Sequence, residues 1–148
     1  MAEPDLLPGN RFRLYRESDI TPGTFLFVCV ATTITFNRTN SFEDTTVADC
    51  DDPTAIPNRK SVKTSTAWNL NFSGNSDIKR IEGIETDFEA EGTHRYQMLL
   101  DKPAADGGRT YTGAVFVETF ELAKQNNGLV TFSAQMRGDG EIDRAAVV

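Results

Sequence analysis

The sequence predicts a mainly β fold: an antiparallel β-sandwich or barrel with one flanking α-helix, a long loop and extended N- and C-terminal arms. Three observations carry this expectation. Apolar residues recur at every second position through much of the chain, a strong hairpin signal lies near the C-terminus, and a single segment shifts to helical spacing.

The period of two is clearest in three runs. Trp68, Leu70 and Phe72 alternate with Asn69 and Asn71. His94, Tyr96, Met98 and Leu100 alternate with Arg95 and Gln97. Val130, Phe132, Ala134 and Met136 alternate with Thr131, Ser133 and Gln135. Successive side chains of a strand point to opposite sides, so each run has one apolar and one polar face. Shorter strands are expected at Phe12 to Tyr15, Phe25 to Val30 and Thr32 to Phe36. The hairpin joins Tyr111–Lys124, rich in β-branched and aromatic residues, to the strand beginning at Leu129. Between them lies Gln125-Asn126-Asn127-Gly128, and Asn-Gly supplies the positive φ angles of a type I′ turn. Strands this long must protect their edges, by closing a barrel or by pairing with another molecule.

Ser76 to Glu91 is the exception. Ile78, Ile81, Glu85 and Phe88 fall at near-helical spacing, with Ser76 as N-cap and Gly92 as the stop. The acids Glu82, Glu85, Asp87, Glu89 and Glu91 read as a solvated helix face. Two stretches lack a period. Residues 37–63 are polar, acidic in the first half, and contain Pro53 and Pro57; loops this long are usually functional or disordered. Residues 1–10 and 139–148 read as arms that order only against a neighbour.

With 148 residues the chain is one domain with enough length for a genuine core. Its net charge of -7 argues against a general basic surface for nucleic acid, because phosphate affinity comes from Lys and Arg. Cys29 and Cys50 form no disulfide framework or zinc motif, and Cys29, in the apolar run, is expected to be a reduced core thiol. No apolar stretch approaches a bilayer span, and residues 1–10 lack a signal-peptide pattern, so manufacture in a cytoplasm without membrane binding is expected. Asn37-Arg38-Thr39 and Asn71-Phe72-Ser73 match the glycosylation pattern by chance on that reading.

Catalytic motifs are missing. His94 is the one histidine and sits on an apolar strand face, which suits a packed or interface residue better than a triad base. No Walker loop, GxGxxG or GxSxG occurs, and Gly107-Gly108 reads as a turn. Asp49-Cys50-Asp51-Asp52 lacks the spacing of a calcium loop and reads as a solvated acidic loop. The expectation is a non-enzymatic assembly protein with no cofactor and no metal.

One resemblance sharpens it. A helix is followed by the strand Thr93 to Leu100, then by Gly108-Arg-Thr-Tyr-Thr-Gly-Ala-Val-Phe-Val-Glu-Thr-Phe-Glu-Leu122, the Asn-Gly turn, and Val130-Thr-Phe-Ser-Ala-Gln-Met-Arg-Gly-Asp-Gly140. With the entry Lys63-Thr-Ser-Thr-Ala-Trp68, this arrangement resembles the major tail tube proteins of long-tailed bacteriophages and phage-like particles such as gene transfer agents. Likeness over residues 1–37 rests on the order of elements alone. The resemblance implies stacked, hexameric rings that form the hollow tail tube of a virion, assembled in a bacterial host cytoplasm. It implies partners too: further copies of the chain, tape-measure, terminator and distal tail proteins, and double-stranded DNA in transit. Residues 37–63, with Asp44, Asp49, Asp51 and Asp52, would be the inter-ring loop. Glu118 and Glu121 are candidate lumen-facing acids, although Glu118 shares the pattern face of Phe116 and Phe120. Competing readings are a tail terminator or secretion-tube ring protein of similar fold, a monomeric small-ligand barrel with an apolar cavity, and a calcium-dependent module.

Overall fold

The computed structural model describes residues 3–124 and 128–147. Among these, seven strands form one antiparallel sheet: β1 (Phe12–Glu17), β2 (Phe25–Phe27), β3 (Ala31–Asp44), β4 (Ser61–Asn75), β5 (His94–Leu100), β6 (Arg109–Ala123) and β7 (Thr131–Ala146). The α-helix, α1 (Ile78–Glu89), lies between β4 and β5 in the chain. The spatial order is β2-β1-β5-β6-β7-β4-β3. The predicted turn at Gln125 to Gly128 falls at residues 125–127 outside the described residues.

The sheet coils so strongly that side chains from strands three places apart meet. Phe72 on β4 and Tyr96 on β5 have β6 and β7 between them, yet their ring centroids are 6.4 Å apart. In a flat sheet three strand spacings would separate them by about 14 Å. Phe36 on β3 and Tyr111 on β6 approach to 5.1 Å in the same way. The enclosed space is filled: Leu14, Leu70, Tyr96 and Met98 have no exposed surface, and Phe72, Val115, Phe132, Ala134 and Met136 have almost none. A ligand barrel would keep its cavity here. Ile81 and Ile84 of α1 complete the core.

Trp68 sets how the long strands diverge. β4 pairs with β7 from Asn75 to Asn69 only, whereas β7 runs on along β6 to Ala146. The indole of Trp68 fills the fork, over Gly138 and Gly113, and its Nε1–H donates to the Gly140 carbonyl at 3.1 Å. A Cβ on Gly138 would stand 2.2 Å from the ring.

One buried carboxylate ties the helix to the sheet. Asp87 is 7% exposed, and among the described residues it is the only buried charged side chain. Arg16 of β1 donates to it through two nitrogens, each at 2.7 Å, and the Tyr96 hydroxyl of β5 donates at 2.6 Å. Such bidentate pairs fix geometry as well as charge. The Asp87 hydrogen bond raises the Arg16 pKa, and burial pushes the Tyr96 phenol well above its ordinary value. Asp87 was expected on the solvated face of the helix; the clamp takes it inward.

Several expectations need correction. The helix cap is Asp77, whose side chain accepts from Lys79 N–H, and not Ser76. Ser76 N–H is already committed to the Val130 carbonyl, so the sheet ends one residue later than the capping pattern suggests. The strand at Phe25 stops at Phe27, and Cys29 is exposed in the turn beyond it, not in the core. The loop is residues 45–60: residues 37–44 and 61–63 belong to β3 and β4. This ribbon is wet on both faces beyond residue 39, and a strand without a buried face shows no apolar alternation. Likewise residues 139–146, expected as an arm, are strand, pairing with β6 from Asp139↔Ala114 to Ala146↔Arg109. Ile142 is its one buried side chain, too few to mark a period. Residues 3–8 carry no regular structure.

Replacing Gly138 by alanine forces the indole from the fork and should destabilise the fold by about 1–3 kcal/mol, the usual cost of overpacking, measured by denaturant unfolding. Asp87→Ala leaves Arg16 and the Tyr96 hydroxyl without their acceptor. The loss should be about 3 kcal/mol, at the low end for a broken buried pair because Arg16 keeps Asp19. Tyr96 gives a pH signature. Its folded pKa lies above the unfolded value of 10.0, so its contribution is complete below pH 10 and is lost as pH rises toward the folded value. Stability measured against pH should therefore fall above pH 10, and less steeply in Tyr96→Phe.

Candidate assembly surfaces

The coiled sheet buries one face of β3, β4, β7 and β6 and leaves the other open. Register fixes which residues share the open face. Thr33, Thr35 and Asn37 of β3 stand opposite Ser73, Asn71 and Asn69 of β4, and Ser133, Gln135 and Arg137 of β7 continue the rows. The open face is built of hydroxyls and amides, and it is hollowed into shallow depressions of about 280 and 500 Å³ lined by Ser73, Glu121 and Ser133, and by Asn69, Glu118 and Gln135.

Glu118 and Glu121 both lie on this face. Pairing shifts by one residue between Val117 and Thr119, a bulge that re-aims the strand at Glu118. Before it, Phe116 pairs with Arg137 on the open face; after it, Phe120 pairs with Ala134 on the core face. The bulge thus separates Glu118 from Phe120, which the period of two had joined. Glu118 accepts from Arg137 Nε at 2.6 Å, which cancels the one cation on the paired rows. Glu121 pairs with Ser133 across the ladder.

The second surface is an edge. β3 is fourteen residues long and has a neighbour on one side only among the described residues. The opposite edge, β2, has three residues. A long free edge offers unpaired N–H and C=O groups to another chain. Past the fork at Trp68, β3 and β4 leave the sheet as a two-stranded ribbon bearing the exposed apolar side chains Phe42 and Val62.

The loop at its tip holds Asp49, Asp51 and Asp52, with Asp44 at its root. These acids are engaged in local turns and do not converge. Asp44 accepts from the Thr46 hydroxyl and N–H, which lowers its pKa. Asp49 accepts from Asp51 N–H and Asp52 from the Thr54 hydroxyl, each at 2.9 Å. Among the described residues no group of three His, Cys, Asp or Glu side chains is arranged to hold a metal. His94 sits beside the Asp87 clamp, its Nε2 2.8 Å from the Glu17 carbonyl and its Nδ1 3.5 Å from Asp87. That is a packed histidine at the join of β1, β5 and α1.

Neither the neutral polar face nor the free β3 edge was singled out from sequence. The face was legible in one respect: Asn69, Asn71, Ser133 and Gln135 fill the polar half of the alternation with uncharged side chains. The edge was not, since strand order is a product of tertiary pairing.

Comparison with known proteins agrees with this architecture. The tail of an empty gene transfer agent particle, refined with C6 symmetry, matches with a TM-score of 0.78 and 14% identity over 95% of this chain and all of the other. The SPP1 tail tube matches with a TM-score of 0.68 and 14% identity over 97% of this chain and 81% of the other. The sheath-tube complex of the extracellular contractile injection system PVC matches with a TM-score of 0.65 and 11% identity over 97% and 93%. At such identities the likeness is one of fold. No curated protein sequence matches the chain. A sequence model of the phage tail tube protein family matches residues 9–144, nearly the whole chain, and the chain therefore belongs to the phage tail tube protein family.

Proposed function

We propose that this chain is a structural, non-enzymatic virion protein that assembles into stacked hexameric rings, and that the open face of β3, β4, β7 and β6 lines the channel through which double-stranded DNA passes. The observation that carries the lumen reading is the chemistry of that face. It offers hydroxyls, amides and acids, and its one cation within the paired rows is held by Glu118. Phosphate binding requires Lys or Arg, so such a wall lets the DNA backbone slide. The free edge of β3 supports ring closure, because a closed ring satisfies every such edge while an open polymer leaves one exposed. The gene transfer agent relative, with its C6 symmetry, supports six copies.

Further parts follow from the same reading. The ribbon and loop at residues 37–63, with Asp44, Asp49, Asp51 and Asp52, reach a neighbouring copy. Residues 3–8, which carry no regular structure in the single chain, order against neighbours. Assembly takes place in a bacterial cytoplasm, with tape-measure, terminator and distal tail proteins setting length and ends.

Purified protein, concentrated and viewed by negative-stain electron microscopy, should form rings or hollow tubes with a regular axial repeat. Glu118→Lys combined with Glu121→Lys should still form tubes. In the variant, short duplex DNA should be retained and protected from nuclease, and salt should release it; wild-type tubes should retain none. Variant tubes that hold no protected DNA would place these acids away from the lumen.

A further inference from the structure

Beside the helix, on the side away from the open face, β2 and α1 enclose a groove of about 200 Å³. Leu26, Phe27, Val28 and Cys29 form one wall, and Lys79, Arg80 and Gly83 form the other. Leu26 and Phe27 are about half exposed. Lys79 and Arg80 have no acidic partner among the described residues. On the same helix Glu82 lies three residues from Lys79 and Asp77 caps the first turn, so these two carboxylates flank the cations of the groove wall without forming an ion pair with them.

The loop at the tip of the β3–β4 ribbon has the complementary composition. Asp49, Asp51 and Asp52 cluster in the middle of the loop, while its two cations, Arg59 and Lys60, lie at the root, where Lys60 pairs with Thr45 and Thr46. Val47 and Ile56 are exposed among them. An acidic segment with two stranded apolar side chains matches a basic-rimmed apolar groove in both sign and character. The groove and the loop of one chain cannot meet. Cys29 lies two residues before β3 and Cys50 six residues beyond its end, and the strand between them spans roughly 43 Å. Six extended residues retrace only about 21 Å of that distance.

We propose that the loop at residues 45–60 of one copy docks in the β2–α1 groove of a neighbouring copy, Asp49, Asp51 and Asp52 against Lys79 and Arg80, Val47 and Ile56 over Leu26 and Phe27. The inference rests on the tube reading and names the receptor for the loop. Its arrangement is heterologous: each copy gives one loop and accepts one, so the contact propagates along an assembly. It also brings Cys50, between two of the docking acids, to the groove that Cys29 lines.

The two native cysteines supply the test. Full-length protein is assembled, oxidised with copper phenanthroline, and run on a non-reducing gel beside negative-stain images of the same sample. A ladder of covalent oligomers is expected, since a Cys29–Cys50 bond leaves one free cysteine at each end. Cys29→Ser and Cys50→Ser should each abolish it, and a mixture of the two variants should give dimers only. The exposed pair Lys79→Glu, Arg80→Glu should raise the concentration needed for assembly at least tenfold, with rescue by Asp51→Lys, Asp52→Lys. Tubes in which no bond forms, or in which Cys29→Ser alone still gives dimers, overturn the docking while leaving the tube reading intact. Absence of rings and tubes at every concentration overturns the tube reading and the docking with it.

Discussion

Trp68 stands where β4 and β7 part company. Its indole covers Gly138 and Gly113, glycines that leave room for nothing larger, and its N–H holds the Gly140 carbonyl. On one side of this fork β4 and β7 are paired in the sheet; on the other the β3–β4 ribbon leaves, and β7 stays in the sheet with β6 and β5. The β3–β4 ribbon runs into solvent and carries the acidic loop, and β7 continues along β6 to Ala146. An indole can do this because it combines a large apolar area with one polar handle, so it seals the core and satisfies a backbone carbonyl at once.

Asp87 performs the matching task for the helix. An isolated buried carboxylate would be costly, and here it is repaid by the Arg16 fork and the Tyr96 hydroxyl. Apolar packing of Ile81 and Ile84 would let the helix slide along the sheet; directional bonds to β1 and β5 remove that freedom. Rigidity matters in a repeated assembly, because an error in the position of one helix recurs in every copy. In the proposed docking, the same helix presents Lys79 and Arg80 to a neighbour.

The open face follows another logic. Its hydroxyls and amides hydrogen-bond to water well enough to stay wet, and its charges are balanced or negative. Strong attraction for phosphate would come only from unpaired cations. The proposed lumen is therefore defined by weak interactions, spread over many copies, and strong contacts are reserved for the edges and the loop.

The class of fold was legible in sequence because burial of one sheet face imposes a period of two, and Trp68–Phe72, His94–Leu100 and Val130–Met136 obey it. The helix was legible for the same reason at a different period, to within two residues. Where burial is absent the sequence carries no such record: residues 37–44 and 139–146 are strands held by backbone pairing, and they looked like loop and arm. Glu118 and Glu121 could be chosen as candidates from the chain, and family likeness could name the assembly. The bulge that turns Glu118 away from Phe120, the exposure of Cys29, the recruitment of Asp87 to Arg16 and Tyr96, and the free edge of β3 were decided by tertiary structure alone. Each depends on contacts between residues distant in the chain, and a local period holds no information about which strands become neighbours.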